Sequence, residues 1–271
     1  MARPAIFVGN YKYSGTDAHR TLLSVGSLWR HHMHDVKRNP NRVAAVGAEL
    51  GQSLELLADL HNVKPELELG ARLEHLGELA ASKIDEIDPQ RLANWLGNLW
   101  PTFAKLHEPN TQNAVTPNTS SAGKVVGIQA STNSVPKISI ARGIINYDGL
   151  AGDRQMARTH HGRPWQALCI WSDEVIAQHA NAGHPIARGS AGENITVSEI
   201  DWTKVRPSAT LEFGSVKTQI TGYAIPCKKN AHWFSDGYYQ RMSHEHGAVS
   251  RVYCLVTQPG VVTVGDIAIC K

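Results

Sequence analysis

Through roughly its first hundred positions the chain carries apolar residues at three- and four-residue steps. Val43-Ala-Ala-Val-Gly-Ala-Glu-Leu50 and Ser53-Leu-Glu-Leu-Leu-Ala-Asp-Leu-His61 show this period, and Leu69 to Ile84 repeats it. Apolar side chains so spaced share one face of a helix, which predicts amphipathic helices. Asp88-Pro89 reads as an N-cap followed by proline at the first helical position. It opens a further helix through Leu92, Leu96 and Leu99 toward Trp100-Pro101. This half is therefore expected to be mainly helical.

Past residue 107 the pattern changes. Positions 108–122 are polar, small and turn-forming, with prolines that disfavour helix on their N-terminal sides, and read as a linker. Short apolar or alternating runs then follow between Gly, Pro, Asn and Asp. Strands are predicted at Lys124–Gln129, Pro136–Ala141, Gln166–Trp171, Thr210–Phe213, Val216–Thr221, Val249–Val256 and Asp266–Cys270. One helix interrupts them, capped by Ser172, with Asp173 and Glu174 in its first turn and a stop near Gly183. The expected fold class is α+β, with a helical domain over 1–107, the linker 108–122, and a β-barrel with few helices over 123–271. Closing the sheet removes edges that would invite aggregation.

The 271 residues are 42% hydrophobic, enough to bury a core. Lys and Arg number 27 against 24 Asp and Glu, a formal charge of +3, too weak a bias to argue for nucleic acid. No apolar run approaches the roughly 20 residues of a membrane span. The four cysteines, Cys169, Cys227, Cys254 and Cys270, form no C-x-x-C pair and follow no secretory leader, so reduced thiols and a cytoplasmic location are expected.

Four polar, glycine-rich stretches stand out in the second half. Gly152 to Pro164 places Arg154, Arg158, His160, His161 and Arg163 close together. Such a cluster is a solvated basic loop, or it gathers around an anion such as a phosphate, or Asp153 neutralises part of it. In Gly189-Ser-Ala-Gly-Glu-Asn-Ile-Thr-Val197, Glu193 and Asn194 either cap the loop through backbone amides or hold a ligand. In Thr221-Gly-Tyr-Ala-Ile-Pro-Cys-Lys-Lys-Asn230, Cys227 precedes Lys228 and Lys229, which favour the thiolate, the form that attacks electrophiles or binds soft metals. Cys169, Cys254 and Cys270 sit in apolar runs and read as buried hydrophobes. Pro259 to Asp266 reads as a structural hairpin before the final strand. In the first half, His31 and His34 share a helix face and would seed a metal site with His61 or His75, though scattered surface histidines are commoner. The G-x-G-x-x-G, P-loop and G-x-S-x-G patterns are absent.

Taken in order, these four stretches resemble the MOSC family, the domain named for the C-terminal part of molybdenum cofactor sulfurases. Gly152-Asp153 with Arg158, His160-His161-Gly162 and Pro164 resembles its glycine-aspartate, arginine, histidine-glycine-proline signature. Gly189 to Thr196 is similar to its GENIT turn, and Gln219 to Cys227 to its threonine-glycine-leucine-arginine-asparagine-proline-cysteine form. The resemblance implies a β-barrel in which Cys227 shares a cleft with the Arg/His loop, and implies molybdenum cofactor binding or sulfur relay. Relatives reduce N-hydroxylated compounds with that cysteine on molybdenum. Under it, Cys227, His160 and His161 are the expected catalytic residues, with Cys227 the metal ligand. Arg154, Arg158, Glu193, Asn194 and Lys228 are expected at the cofactor. This chain departs from the pattern at Ala224 and Ile225, where the family carries arginine and asparagine, so the missing charge is expected from Lys228 and Lys229.

No family is recognised in the first half, which is too short for a pyridoxal-phosphate desulfurase domain and lacks strand–helix alternation, so that cofactor is not expected. It would shape substrate access, hold a protein partner or mediate a homodimer. Two further readings remain open: a metal-free catalytic barrel with His160 or His161 as general base, and a binding module in which the helical domain recognises a partner or metabolite.

Overall fold

The computed structural model describes residues 6–8, 11–13, 15–33, 40–61, 63–106, 120–154, 164–207 and 209–271. The chain divides into two compact units, Met1–Thr111 and Gln112–Lys271.

The first unit begins with an antiparallel pair, β1 (Ile6–Val8) and β2 (Tyr11–Tyr13), which helical periodicity does not anticipate. Five helices follow: α1 (Gly15–Leu23), α2 (Val25–Met33), α3 (Pro40–Leu57), α4 (Leu69–Ser82) and α5 (Pro89–Ala104). The two apolar stretches between Val43 and His61 thus belong mostly to one helix, which bends out of helical geometry near Asp59, at φ 50°. The periodic leucines Leu50, Leu54, Leu73, Leu76, Leu92 and Leu96 form its dry centre. The α5 start is as read: the Asp88 carboxylate accepts from the Arg91 N–H at 2.9 Å, with Pro89 next. Its end is not. The helix runs through Pro101 to Ala104, forgoing the bond to the Gly97 carbonyl, because Phe103 inserts into the core and outweighs that loss. His32 is also buried, stacked on Phe103 at 4.6 Å. The His31 side chain and His34 lie outside the described residues, and among those described no three metal-ligating side chains converge. Nor is any described helix long and apolar enough to cross a membrane.

The second unit is a barrel. Its strands are β3 (Ser121–Ala130), β4 (Ile138–Ile140), β5 (Arg142–Asn146), β6 (Gly149–Leu150), β7 (Leu168–Ser172), β8 (Ile195–Ser198), β9 (Thr210–Phe213), β10 (Val216–Tyr223), β11 (Val252–Gln258), β12 (Gly260–Thr263) and β13 (Ile267–Cys270). Seven of them close a ring in the order β3-β8-β7-β11-β10-β9-β13, and β13 pairs back onto β3. Every pairing in the ring is antiparallel except β7 with β8, whose crossover contains α6 (Asp173–Asn181). Ser172 caps that helix, accepting from the Val175 N–H at 3.3 Å. Alternation fills the interior: in β9, Leu211 and Phe213 point in, while Thr210 and Glu212 are half-buried.

The hairpin expected before the last strand does not form. β12 pairs with β5, in a small sheet with β6, while β13 belongs to the ring. The Asp266 carboxylate accepts from the Thr263 N–H at 2.8 Å and makes the corner that separates the two sheets.

Candidate active site

β10 carries the chain to the cysteine through a bulge at Thr221, where the register against β11 slips between Ile220 and Gly222. The Thr221 hydroxyl is fixed by the Trp165 and Tyr253 carbonyls, the latter at 3.1 Å, and the strand bends there. Ala224 to Pro226 carry the chain on outside regular secondary structure, and Cys227, extended at φ -108° and ψ 143°, opens a short helical turn, Lys228–Trp233, with its carbonyl accepting from the Asn230 N–H at 2.8 Å. The Cys227 thiol is exposed. It borders a cleft of about 150 Å³ with Lys137, Arg154, Cys169, Lys229, Arg251 and Tyr253 among its lining residues. Four cationic side chains and a soft sulfur thus meet in one hollow.

The other thiols differ in kind. Cys169, Cys254 and Cys270 are buried, and burial pushes each thiol up, Cys270 to about 11. Cys169 reaches the cleft wall but stays packed against Ala224 and Tyr253.

The wall behind the cysteine is a buried polar network. The Asp153 carboxylate accepts from the Lys137 ammonium at 2.6 Å, the Asn194 amide at 2.9 Å and the Ser131 N–H at 2.8 Å. The Lys137 and Asp153 side chains are only 9% and 5% exposed. Asn194 also binds Cys169 in both directions: its amide oxygen accepts from the Cys169 N–H at 3.2 Å, and its own N–H donates to the Cys169 carbonyl at 2.7 Å. Glu193 is wholly buried, with one carboxylate oxygen accepting from the Gly189 N–H. Burial pushes its carboxyl above the ordinary value, outweighing that bond and the more distant Arg251 and Lys137. Glu193 and Asn194 thus both bond backbone amides, one of the two roles read for them from the sequence, and neither is among the residues lining the cleft.

Of the remaining sequence candidates, Arg154 lines the cleft, while Arg158, His160 and His161 lie outside the described residues. The cation beside Cys227 in the cleft is Lys229, whereas Lys228 is exposed and not part of the lining. Sequence reasoning missed Lys137 and Arg251. The signal for Arg251 is a charge set directly against the apolar run Val252–Val256, a place where it ends up only 6% exposed. Its Nη1 donates to the Ala191 carbonyl, and its buried Nε has no partner among the described residues.

The MOSC domain model matches residues 157–268, within the second unit. Among solved structures, the chain is similar to the YuaD protein from Bacillus subtilis, at 22% identity and TM-score 0.47, covering 56% of this chain and 98% of that one. It is also similar to YiiM from Escherichia coli, at 20% identity and TM-score 0.43, covering 55% of this chain and 69% of that one. YiiM from Geobacillus stearothermophilus matches at 19% identity and TM-score 0.41, covering 55% and 73%. No curated protein matches the chain.

Proposed function

We propose that the barrel is a thiol-dependent enzyme domain that binds molybdenum cofactor or carries sulfur, with Cys227 as the ligating or nucleophilic atom. The observation that carries this reading is the placement of Cys227: it is the exposed thiol of the four, and it borders the cleft that also holds Lys137, Arg154, Lys229 and Arg251.

The donor set fits such a cofactor. A soft thiolate suits molybdenum or a transferred sulfur atom, and guanidinium and ammonium groups suit an anionic, phosphate-bearing ligand. When bound, the cofactor would supply the redox or sulfur chemistry. The chain supplies the rest: Cys227 offers the sulfur, Arg154 and Lys229 attract and orient the anion, and the Asp153–Asn194 network fixes the wall they close against.

The test is metal and sulfur analysis of the purified protein after expression with molybdate, with Cys227→Ser alongside. Molybdenum or a labile sulfur present in the native protein and lost in Cys227→Ser supports the reading. Equal metal and sulfur content, together with unchanged turnover of an N-hydroxylated substrate, would overturn it.

A further inference from the structure

Arg251 is a buried cation held ready. The chain leading into it is pinned at three successive carbonyls: the Trp171 indole donates to Val249 at 2.9 Å, the Trp202 indole to Ser250 at 2.9 Å, and the Ala224 N–H to Arg251 itself at 2.8 Å. Nη1 is tied to the Ala191 carbonyl, on the turn that Glu193 holds from behind. A guanidinium carries five donors in a planar fork, and a buried one is normally paired with a carboxylate. Among the described residues no carboxylate forms an ion pair with Arg251, and its Nε is unpartnered. Glu193 lies close enough to interact with it electrostatically but forms no ion pair with it, its carboxylate bonding the Gly189 N–H instead. A buried guanidinium with part of its fork unpartnered is costly to keep. A site that retains one, opens it to a cleft and rigidifies its backbone is organised to receive the opposite charge.

We infer that Arg251 anchors a tetrahedral oxyanion, of the phosphate type, at the inner wall of the Cys227 cleft. This rests on the reading of that cleft as the reactive site, and deepens it by naming the residue that fixes the ligand's anionic end. Position 251 lies across a backbone hydrogen bond from Ala224, where the MOSC pattern carries arginine. The charge absent from the strand before Cys227 is thus supplied by the neighbouring strand rather than by Lys228. Exposed Lys229 and Arg154 attract the anion at the rim, and Arg251 sets its position.

Alkylation of Cys227 in the full-length protein reads this directly, since the other three thiols are buried. Rates with anionic iodoacetate and neutral iodoacetamide are compared, with and without inorganic phosphate or phenyl phosphate. In the native protein, iodoacetate should be favoured relative to free cysteine, and phosphate should slow its reaction. Protection at lower concentration by phenyl phosphate than by inorganic phosphate would assign a phosphorylated organic ligand; equal protection would assign a free oxyanion. Arg251→Gln should raise the protecting concentration about tenfold or more, the effect of losing a charge-assisted bond. Arg251→Lys, which keeps the charge without the fork, should fall between. Native Cys227 indifferent to phosphate would overturn the inference, whatever the fold of the variants. So would protection that survives Arg251→Gln, or that vanishes wholly in Lys229→Met, an exposed change that leaves the fold alone. The readout needs no metal, so failure of molybdenum or sulfur chemistry in Cys227→Ser bears on the proposed function and not on the anchor.

Discussion

Removing the Asp153 carboxylate should open the barrel more than any single change on its surface. The carboxylate receives Lys137, Asn194 and the Ser131 N–H, and both ion-pair side chains are under a tenth exposed. In Asp153→Ala the ammonium of Lys137 stays buried with its counter-ion gone, at a cost of about 3–5 kcal/mol. All four cysteines lie between positions 169 and 270, so thiol labelling reports on the C-terminal unit alone. Cys254 is fully buried, and its labelling requires that unit to open. At about 1.4 kcal/mol per power of ten, the Cys254 labelling rate in Asp153→Ala should rise by roughly two to three and a half powers of ten. Lys137→Met removes the orphaned charge, so the double variant should cost less than the sum of the single changes. Acceleration below tenfold, or strict additivity of the two changes, would refute the claim that this buried pair braces the cleft wall.

Three further outcomes follow from the same geometry. Because burial raises the Glu193 carboxyl in the folded state, the folded protein holds that proton more tightly than the unfolded chain, and stability drains away as pH rises from near the ordinary 4.5. Urea unfolding should therefore show Glu193→Gln gaining on the native protein between pH 5 and pH 8; a constant gap across that range would contradict the assignment. At Gly189, φ is 84° and an added Cβ would stand 2.3 Å from the Lys137 carbonyl oxygen. Gly189→Ala should lower barrel stability by about 2 kcal/mol or more, seen again as faster Cys254 labelling. Asp88→Ala uncaps α5 and should cost about 1 kcal/mol in denaturant unfolding of the helical unit, without changing the Cys227 alkylation rate.

Much of the secondary structure is written locally. Ser172 and Asp88 declare their helices because a side-chain oxygen accepts an N–H within three residues, and β9 matches its predicted span because inward and outward positions alternate over four. The errors share a cause. Trp100-Pro101 looked like a helix end until Phe103 proved to be a core residue, and Pro259 to Asp266 looked like a hairpin until β12 found β5. In each, a distant contact outweighed the neighbouring residues' preference. The candidate site divides in the same way: Cys227 is conspicuous between proline and two lysines, whereas the sequence leaves Glu193 and Asn194 open between loop caps and ligand contacts, and only the fold shows the backbone amides they bond.

By itself, the amino-acid order determined where periodicity switches from helix to strand, which residues cap, and which thiol stands apart from an apolar run, since all of these depend on hydrogen bonds and side-chain spacing within a turn or two. Only the tertiary structure decided that Asp153 closes on Lys137, that β13 returns to β3, and that Arg251 stands beside Ala224 facing the cleft. Those partners are set by ring closure, which brings together positions up to about 150 residues apart, and by the cost of leaving a buried charge or strand edge unpaired.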